Sequence, residues 1–164
     1  MKHILSENSR SKLTNVVPEV DSQPNAVDLR IGKVFKILPE VFEITNETKK
    51  HRGSVEILPD PQGFFNLNEG HYEVVMENVI AVGNGEAGWV ITRSTLNRNG
   101  LFLTSGLYDS GYEGVMAGVL HVTAGPARIQ KGTRIGQYLN FEAEALSNYT
   151  GSYGLKSQHD KKYT

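Results

Sequence analysis

The chain has 164 residues, 38% of them hydrophobic, enough for one domain with a modest core. Its 17 basic and 18 acidic side chains leave a net charge of −1, so a general grip on nucleic acid or an acidic membrane, which needs a basic surplus, is not expected. Cysteine is absent, which removes disulfides, thiolate-held zinc and cysteine nucleophiles. No apolar run reaches membrane-spanning length, and "MKHILSENSRSK" lacks the apolar segment of a signal peptide, so a soluble cytoplasmic protein is expected.

In chain order, "MKHILSENSRSKLT" is the one stretch with helical character, and it predicts a single short N-terminal helix. "AVDLRIGKVFKIL" alternates, placing Val27, Leu29 and Ile31 on one side of a strand. Leu38–Gly63 is polar and turn-rich with charges of both signs, as expected of a surface insertion. "HYEVVMENVIAV", "GWVITR", "GLFLTSGLY", "EGVMAGVLHV" and "TRIGQYLNFEA" are further strand-length runs bounded by turn residues. Many short strands with glycine-rich turns predict an all-β sandwich, jelly roll or barrel spanning residues 1–146. Residues 147–164 carry glycines, tyrosines and three lysines without a hydrophobic period. They suit either a frayed terminus or a flap over an anionic ligand.

The residues that bear chemistry lie in five places. Asp28 interrupts an alternating strand, where it can face Mg²⁺ through water or pair with a base such as Arg30. Arg93 and Ser94 stand where a strand meets a turn; a guanidinium forks onto phosphate oxygens and a hydroxyl adds a donor, with Arg98 four residues on. Asp109, between "SGLY" and "SGYEG", is placed either to take a proton from a water or to bond its own turn. Tyr112 can lie beneath a sugar ring or in the core, and Gln137 can touch a base, a phosphate or solvent. His71 and His121 read as residues of a strand face, since the five histidines show no metal spacing.

The order of these pieces resembles the superfamily of dUTP pyrophosphatases (dUTPases) and dCTP deaminases. The resemblance runs from about Asn25 to Tyr153 and rests on "NAVDLRIG", "RSTLNRNGLFLTSGLYDSGYEG" and "KGTRIGQYLNFE". It implies a distorted β-barrel or jelly roll, usually a homotrimer, with sites at subunit interfaces and Mg²⁺ bound through a triphosphate. "FNLNEGHYEVVMENVIAV" and the "YTGSYG" tail look like the deaminase branch. That branch carries a proton-transferring glutamate where this chain has Val119. "GLYDSGYEG" instead resembles the pyrophosphatase pattern at Gly106, Asp109, Tyr112 and Gly114.

The resemblance therefore implies hydrolysis of dUTP to dUMP and pyrophosphate. In it Asp109 activates the water, Mg²⁺ gathers the phosphates and Asp28 holds one of the ion's waters. Arg93, Ser94 and Arg98 steady the phosphates, the Gly106–Tyr112 hairpin reads the base and Gln137 joins the phosphate network. Tyr153 and Lys156 close the tail over the nucleotide, with lysine standing where that branch usually has arginine. A dCTP deaminase, a bifunctional enzyme and a non-catalytic binding protein on the same fold are the alternatives.

Overall fold

The structure is a computed structural model and describes residues 1–163, so the end of the 147–164 tail at Thr164 lies outside the described residues. Twelve strands dominate. They are β1 (Lys12–Leu13), β2 (Val27–Ile37), β3 (Glu43–Ile44), β4 (Lys49–Lys50), β5 (Ser54–Ile57), β6 (Phe64–Leu67), β7 (Gly70–Ala81), β8 (Glu86–Thr92), β9 (Leu101–Thr104), β10 (Glu113–Val122), β11 (Ala127–Gln130) and β12 (Arg134–Glu142). The helices α1 (Pro18–Asp21) and α2 (Ser94–Asn97) are single turns, and a 3₁₀ turn covers His159–Tyr163.

The main sheet runs β8-β12-β2-β7-β10-β9 with antiparallel neighbours, β1 and β5 being added to β7 and β2. Its two ends approach each other. The Thr92 hydroxyl accepts from the Leu103 N–H at 2.7 Å, Ser105 Oγ accepts from the Val90 N–H at 3.0 Å, and Gly88 and Tyr108 exchange backbone bonds at 3.0 and 2.7 Å. The sheet thus curls into a nearly closed antiparallel barrel. Register shifts at 31/33, 115/117 and 134/136 supply the bends that such closure needs.

Alternation decides what fills the barrel. Val27, Leu29 and Ile31 of β2 are fully buried, and Tyr138, Phe65, Leu67, Ile80, Met116, Leu120 and Ile135 pack with them. The small pair β6–β11 supplies Phe65 and Leu67 to this core.

The N-terminal expectation needs correcting. Met1–Thr14 holds no helix; the short helix near this terminus is α1, beginning at Pro18. The cause is tertiary. The Lys2 N–H bonds the Asn140 carbonyl at 2.8 Å, and the buried Glu86 carboxylate receives the Ser11 N–H at 2.9 Å, the Arg10 N–H at 3.1 Å and the Lys2 ammonium at 3.0 Å. These contacts hold the segment against the barrel as turns at residues 4–8 followed by β1, and its weak helix propensity does not resist. The 38–63 stretch is also more than a solvated excursion, since β5 extends the main sheet. No helix among the described residues is long and apolar enough to cross a membrane.

Candidate active site

Two separate constellations hold the chemistry-bearing residues. The first sits where β2, β12 and the end of β8 lie side by side. Register places Gln137 opposite both Asp28 and Ile91, which brings Arg93, two residues beyond Ile91, to the same end. Asp28 is fully buried, and both its oxygens are occupied. Gln137 Nε2 donates at 3.0 Å and Gln23 Nε2 at 3.2 Å, while the guanidiniums of Arg93 and Arg134 approach to 3.3 and 3.4 Å. One carboxylate thus balances two guanidiniums and leaves a local positive charge, partly open to solvent. The Arg93 N–H also bonds the Ile135 carbonyl, and its Nη1 bonds the Arg134 carbonyl at 3.3 Å, so this side chain is held at several points. Ser94, exposed, opens α2, whose N–H groups at Leu96 and Asn97 bond the Arg93 carbonyl. Arg98 is exposed at the far end of α2 and makes no ion pair among the described residues.

The second constellation is a cavity of about 410 Å³. Its floor is the hairpin between β9 and β10 and the adjoining strand, with Gly106, Tyr108, Tyr112, Gly118 and Val119 among the lining residues. The turn is fixed from beneath: the buried Ser110 hydroxyl donates to the Glu86 carbonyl at 2.6 Å, and the Gly111 N–H bonds the Val82 carbonyl at 3.0 Å. That anchoring leaves Asp109 exposed, with no side-chain hydrogen bond among the described residues, while Tyr108 and Tyr112 on either side of it line the cavity. The Tyr112 ring is buried between those of Tyr108 and Tyr149, with centroids 5.4 and 5.3 Å away, and its hydroxyl donates to the Val115 carbonyl at 2.9 Å. Burial, reinforced by the Asp160 carboxylate, raises its pKa above the usual phenol range, so it stays neutral.

The roof comes from the 38–63 segment, expected as a surface insertion, and from the tail, expected as a frayed terminus or a flap. The 38–63 segment contributes His51 and Arg52, and the tail contributes Tyr149, Tyr153, His159, Asp160, Lys162 and Tyr163. They touch each other: the His51 and His159 rings lie 4.6 Å apart, and the Lys49 ammonium stands over the Tyr153 ring at 5.9 Å. Tail docking depends on glycine. Gly114 and Gly154 meet so closely that a Cβ on Gly154, at φ +121°, would lie 2.7 Å from the Glu113 carbonyl oxygen. Of the two tail residues expected at the ligand, Tyr153 lines the cavity and Lys156 does not; the lysine in the wall is Lys162. A basic run in each segment, "KKHR" and "HDKK", was the available signal, but only the fold shows that the two meet.

Arg93 and Asp109 do not meet within one chain. Gly88 pairs with Tyr108 at one end of the β8 ladder, and Arg93 leaves the other end about five residues away, roughly 17 Å along the strand.

The family model described as dCTP deaminase-like matches residues 2–143. The chain belongs to the dCTP deaminase-like family. It therefore stands in the superfamily that contains dUTPases and dCTP deaminases. Curated relatives of this family carry both kinds of name. A deoxyuridine 5'-triphosphate nucleotidohydrolase of Methanocaldococcus jannaschii is 31% identical, over 92% of this chain and 97% of the relative. A dUMP-forming dCTP deaminase of Persephonella marina is 30% identical, over 88% of this chain and 84% of the relative. Among solved structures, the dCTP deaminase of Agrobacterium tumefaciens superposes with a TM-score of 0.62 at 18% identity. That match takes in 85% of this chain, which spans 46% of the deaminase's length. The dUTPase of phage phi11 of S. aureus superposes with a TM-score of 0.55 at 9% identity, over 89% of this chain and 98% of that one. Both carry the same dUTPase-like β-barrel.

Proposed function

We propose that the protein hydrolyses dUTP to dUMP and pyrophosphate, at a site completed by a second copy of the chain. The observation that carries this reading is the pairing of Asp109, exposed on a rigid turn beside a cavity floored by Tyr112, with Val119 in the same cavity wall. The aspartate offers a free carboxylate to a water, and valine cannot carry the protons that a deamination requires.

On this reading the base enters the cavity and meets the backbone of the Gly106–Tyr112 hairpin, the deoxyribose lies on Tyr112, and the triphosphate projects toward solvent. Asp109 takes a proton from the water that attacks the α-phosphorus, and pyrophosphate leaves with the α–β bridging oxygen. The positive patch of a neighbouring copy receives the phosphates. There Arg93 forks onto two oxygens, Ser94 adds a hydroxyl and Arg98 supplies further charge at the rim. Asp28 and Gln137 act as positioning residues, since Asp28 holds Arg93 and Gln137 by direct contact. Over the cavity Tyr153 closes one side and Lys156 lies outside, where it can attract the incoming anion.

Among the described residues no three histidine or carboxylate side chains gather as a metal site. Asp28 is buried and closed by four donors, so the water-mediated contact to Mg²⁺ expected of it finds no free oxygen; these residues suit a Mg²⁺ ion that would be held by the triphosphate rather than by the protein. Bound in this way, Mg²⁺ would neutralise charge on the phosphates.

Assembly follows from the split site. Trp89 and Ile91 are exposed on β8, with the Trp89 ring stacked on Phe141 at 4.6 Å, and this apolar strip adjoins Gln137 and Arg93. It is the surface we assign to the neighbouring copy, in a homotrimer. The deciding experiment incubates the purified protein and Mg²⁺ separately with dUTP and dCTP and separates the products. Formation of dUMP and pyrophosphate from dUTP is expected. Ammonia from dCTP with dUTP left intact would replace this reading with deamination.

A further inference from the structure

Across the sheet, Val119 of β10 is opposite Glu73 of β7, and Glu73 is opposite Phe35 of β2. Directly paired residues share a face and stand about 5 Å apart at Cβ, so Glu73 flanks the position where the deaminase-like chains keep their carboxylate. Glu73 and Val119 both line the cavity, together with Gly106 and Gly118 of the base-reading hairpin. Nothing in the reaction described above uses Glu73.

Its surroundings are specific. The Lys162 ammonium lies 2.7 Å from one carboxylate oxygen, and the Tyr163 hydroxyl donates to the other. Both donors belong to the 3₁₀ turn that ends the described chain, and Tyr163 is seated on Phe35 and Val75 of the outer sheet face. The side chains of Lys162 and Glu73 are 32% and 16% accessible, so the pair is screened only in part.

We propose that Glu73 sets base preference, and that Lys162 and Tyr163 hold it in the state that favours uracil. The inference rests on the cavity being the base site of the proposed function. An ionised carboxylate only accepts hydrogen bonds. Left free in the cavity, it would attract the exocyclic amino group of cytosine and repel the 4-oxo group of uracil. Occupied by an ammonium and a phenol, it loses that bias. The tail is thus a selectivity element as well as a cover.

The test compares kcat/KM for dUTP and dCTP in the full chain and follows dUMP and dCMP binding by calorimetry. Replacing both donors (Lys162→Met with Tyr163→Phe) should raise the dCTP-to-dUTP ratio about tenfold, the scale of one hydrogen bond to a charged group. Adding Glu73→Gln should cancel that rise. Because the double substitution leaves the barrel core intact, circular dichroism should be unchanged, and the single Lys162→Met variant gives the same sign if the double variant fails to fold. A ratio within twofold of the parent, or a rise that survives Glu73→Gln, overturns the assignment of Glu73 while dUTP hydrolysis stands. If the parent protein neither binds nor hydrolyses dUTP or dCTP, the cavity is not a base site and both readings fall.

Discussion

Asp28 and Arg93 meet inside the barrel wall, with the Arg93 Nε 3.3 Å from a carboxylate that is wholly buried. Arg134 shares the same oxygen at 3.4 Å. Removing the carboxylate would leave two guanidiniums facing each other, with only Asp21, already paired with Arg30, to offset Arg134. Asp28→Ala should cost about 3–5 kcal/mol of stability, the usual penalty for breaking a buried pair. Urea unfolding should show it as a lower midpoint with an unchanged slope. Asp28→Asn, which keeps the shape, should lose less stability and chiefly weaken triphosphate binding, raising KM more than it lowers kcat.

Asp109 carries no such structural duty, because its side chain is exposed and the turn is held by Ser110 and Gly111. Asp109→Asn should lower kcat for pyrophosphate release by about 10²–10⁴, the range for loss of a general base. Its melting temperature should stay within a degree or two of the parent. A variant that kept near-parental turnover would remove the proposed base.

The separation of Arg93 from Asp109 along the β8 ladder makes a mixing experiment informative. Arg93→Ala and Asp109→Asn should each be nearly inactive alone. Unfolded together and refolded as mixed oligomers, they should regain roughly a quarter of parental turnover, the statistical share of sites that draw each intact residue from a different copy. Activity that stays at the level of the two variants would mean that each site is built from one chain.

Glu86 gives a pH-dependent contribution to stability. Desolvation alone would raise its pKa, but hydrogen bonds from Ser11, the Arg10 N–H, Asn140 and Lys2 outweigh it and bring the pKa down to about 2. A lowered folded-state pKa stabilises the protein above the unfolded value, near 4.5, and that stabilisation is lost as pH falls toward 2. The contribution at neutral pH is on the order of 3 kcal/mol. Glu86→Gln should therefore lower stability at pH 7 and flatten its decline below pH 4.5, as measured by urea unfolding across that interval.

Gly154 tests the tail. Its φ of +121° and the 2.7 Å that would separate a Cβ from the Glu113 carbonyl oxygen leave no room for a side chain. Gly154→Val should release residues 149–163 from the barrel. Faster trypsin cleavage at Lys156, Lys161 and Lys162 and a raised KM for dUTP are expected, with the barrel's melting temperature little changed.

Much of the barrel was written in local pattern. The alternation of Val27, Leu29 and Ile31 can be satisfied only by a strand with one buried face, and these residues are fully buried. Gly-rich turns at 83–85 and 123–126 separate strands as the spacing implied, while the run "GLFLTSGLY" leaves its strand at Thr104, earlier than expected. Met1–Thr14 went the other way. Its periodicity is weak, and the buried Glu86, far away in sequence, gathers its N–H groups and side chains into a non-helical path of turns and a short strand. A helical reading has no means of knowing about a carboxylate 75 positions downstream of Ser11.

Residue types and their order along the chain named the side chains proposed to carry the chemistry: an acid within an alternating strand, an acid on a glycine turn, and a valine where the resemblance puts a carboxylate. Their arrangement was decided only by the tertiary structure. Strand pairing puts Asp28 and Gln137 together across 109 positions, sends Asp109 to the opposite end of the ladder from Arg93, and sets Glu73 beside Val119 under Lys162. Hydrogen-bond register between distant strands fixes those neighbours, and register is a property of the closed sheet that no single strand's sequence contains.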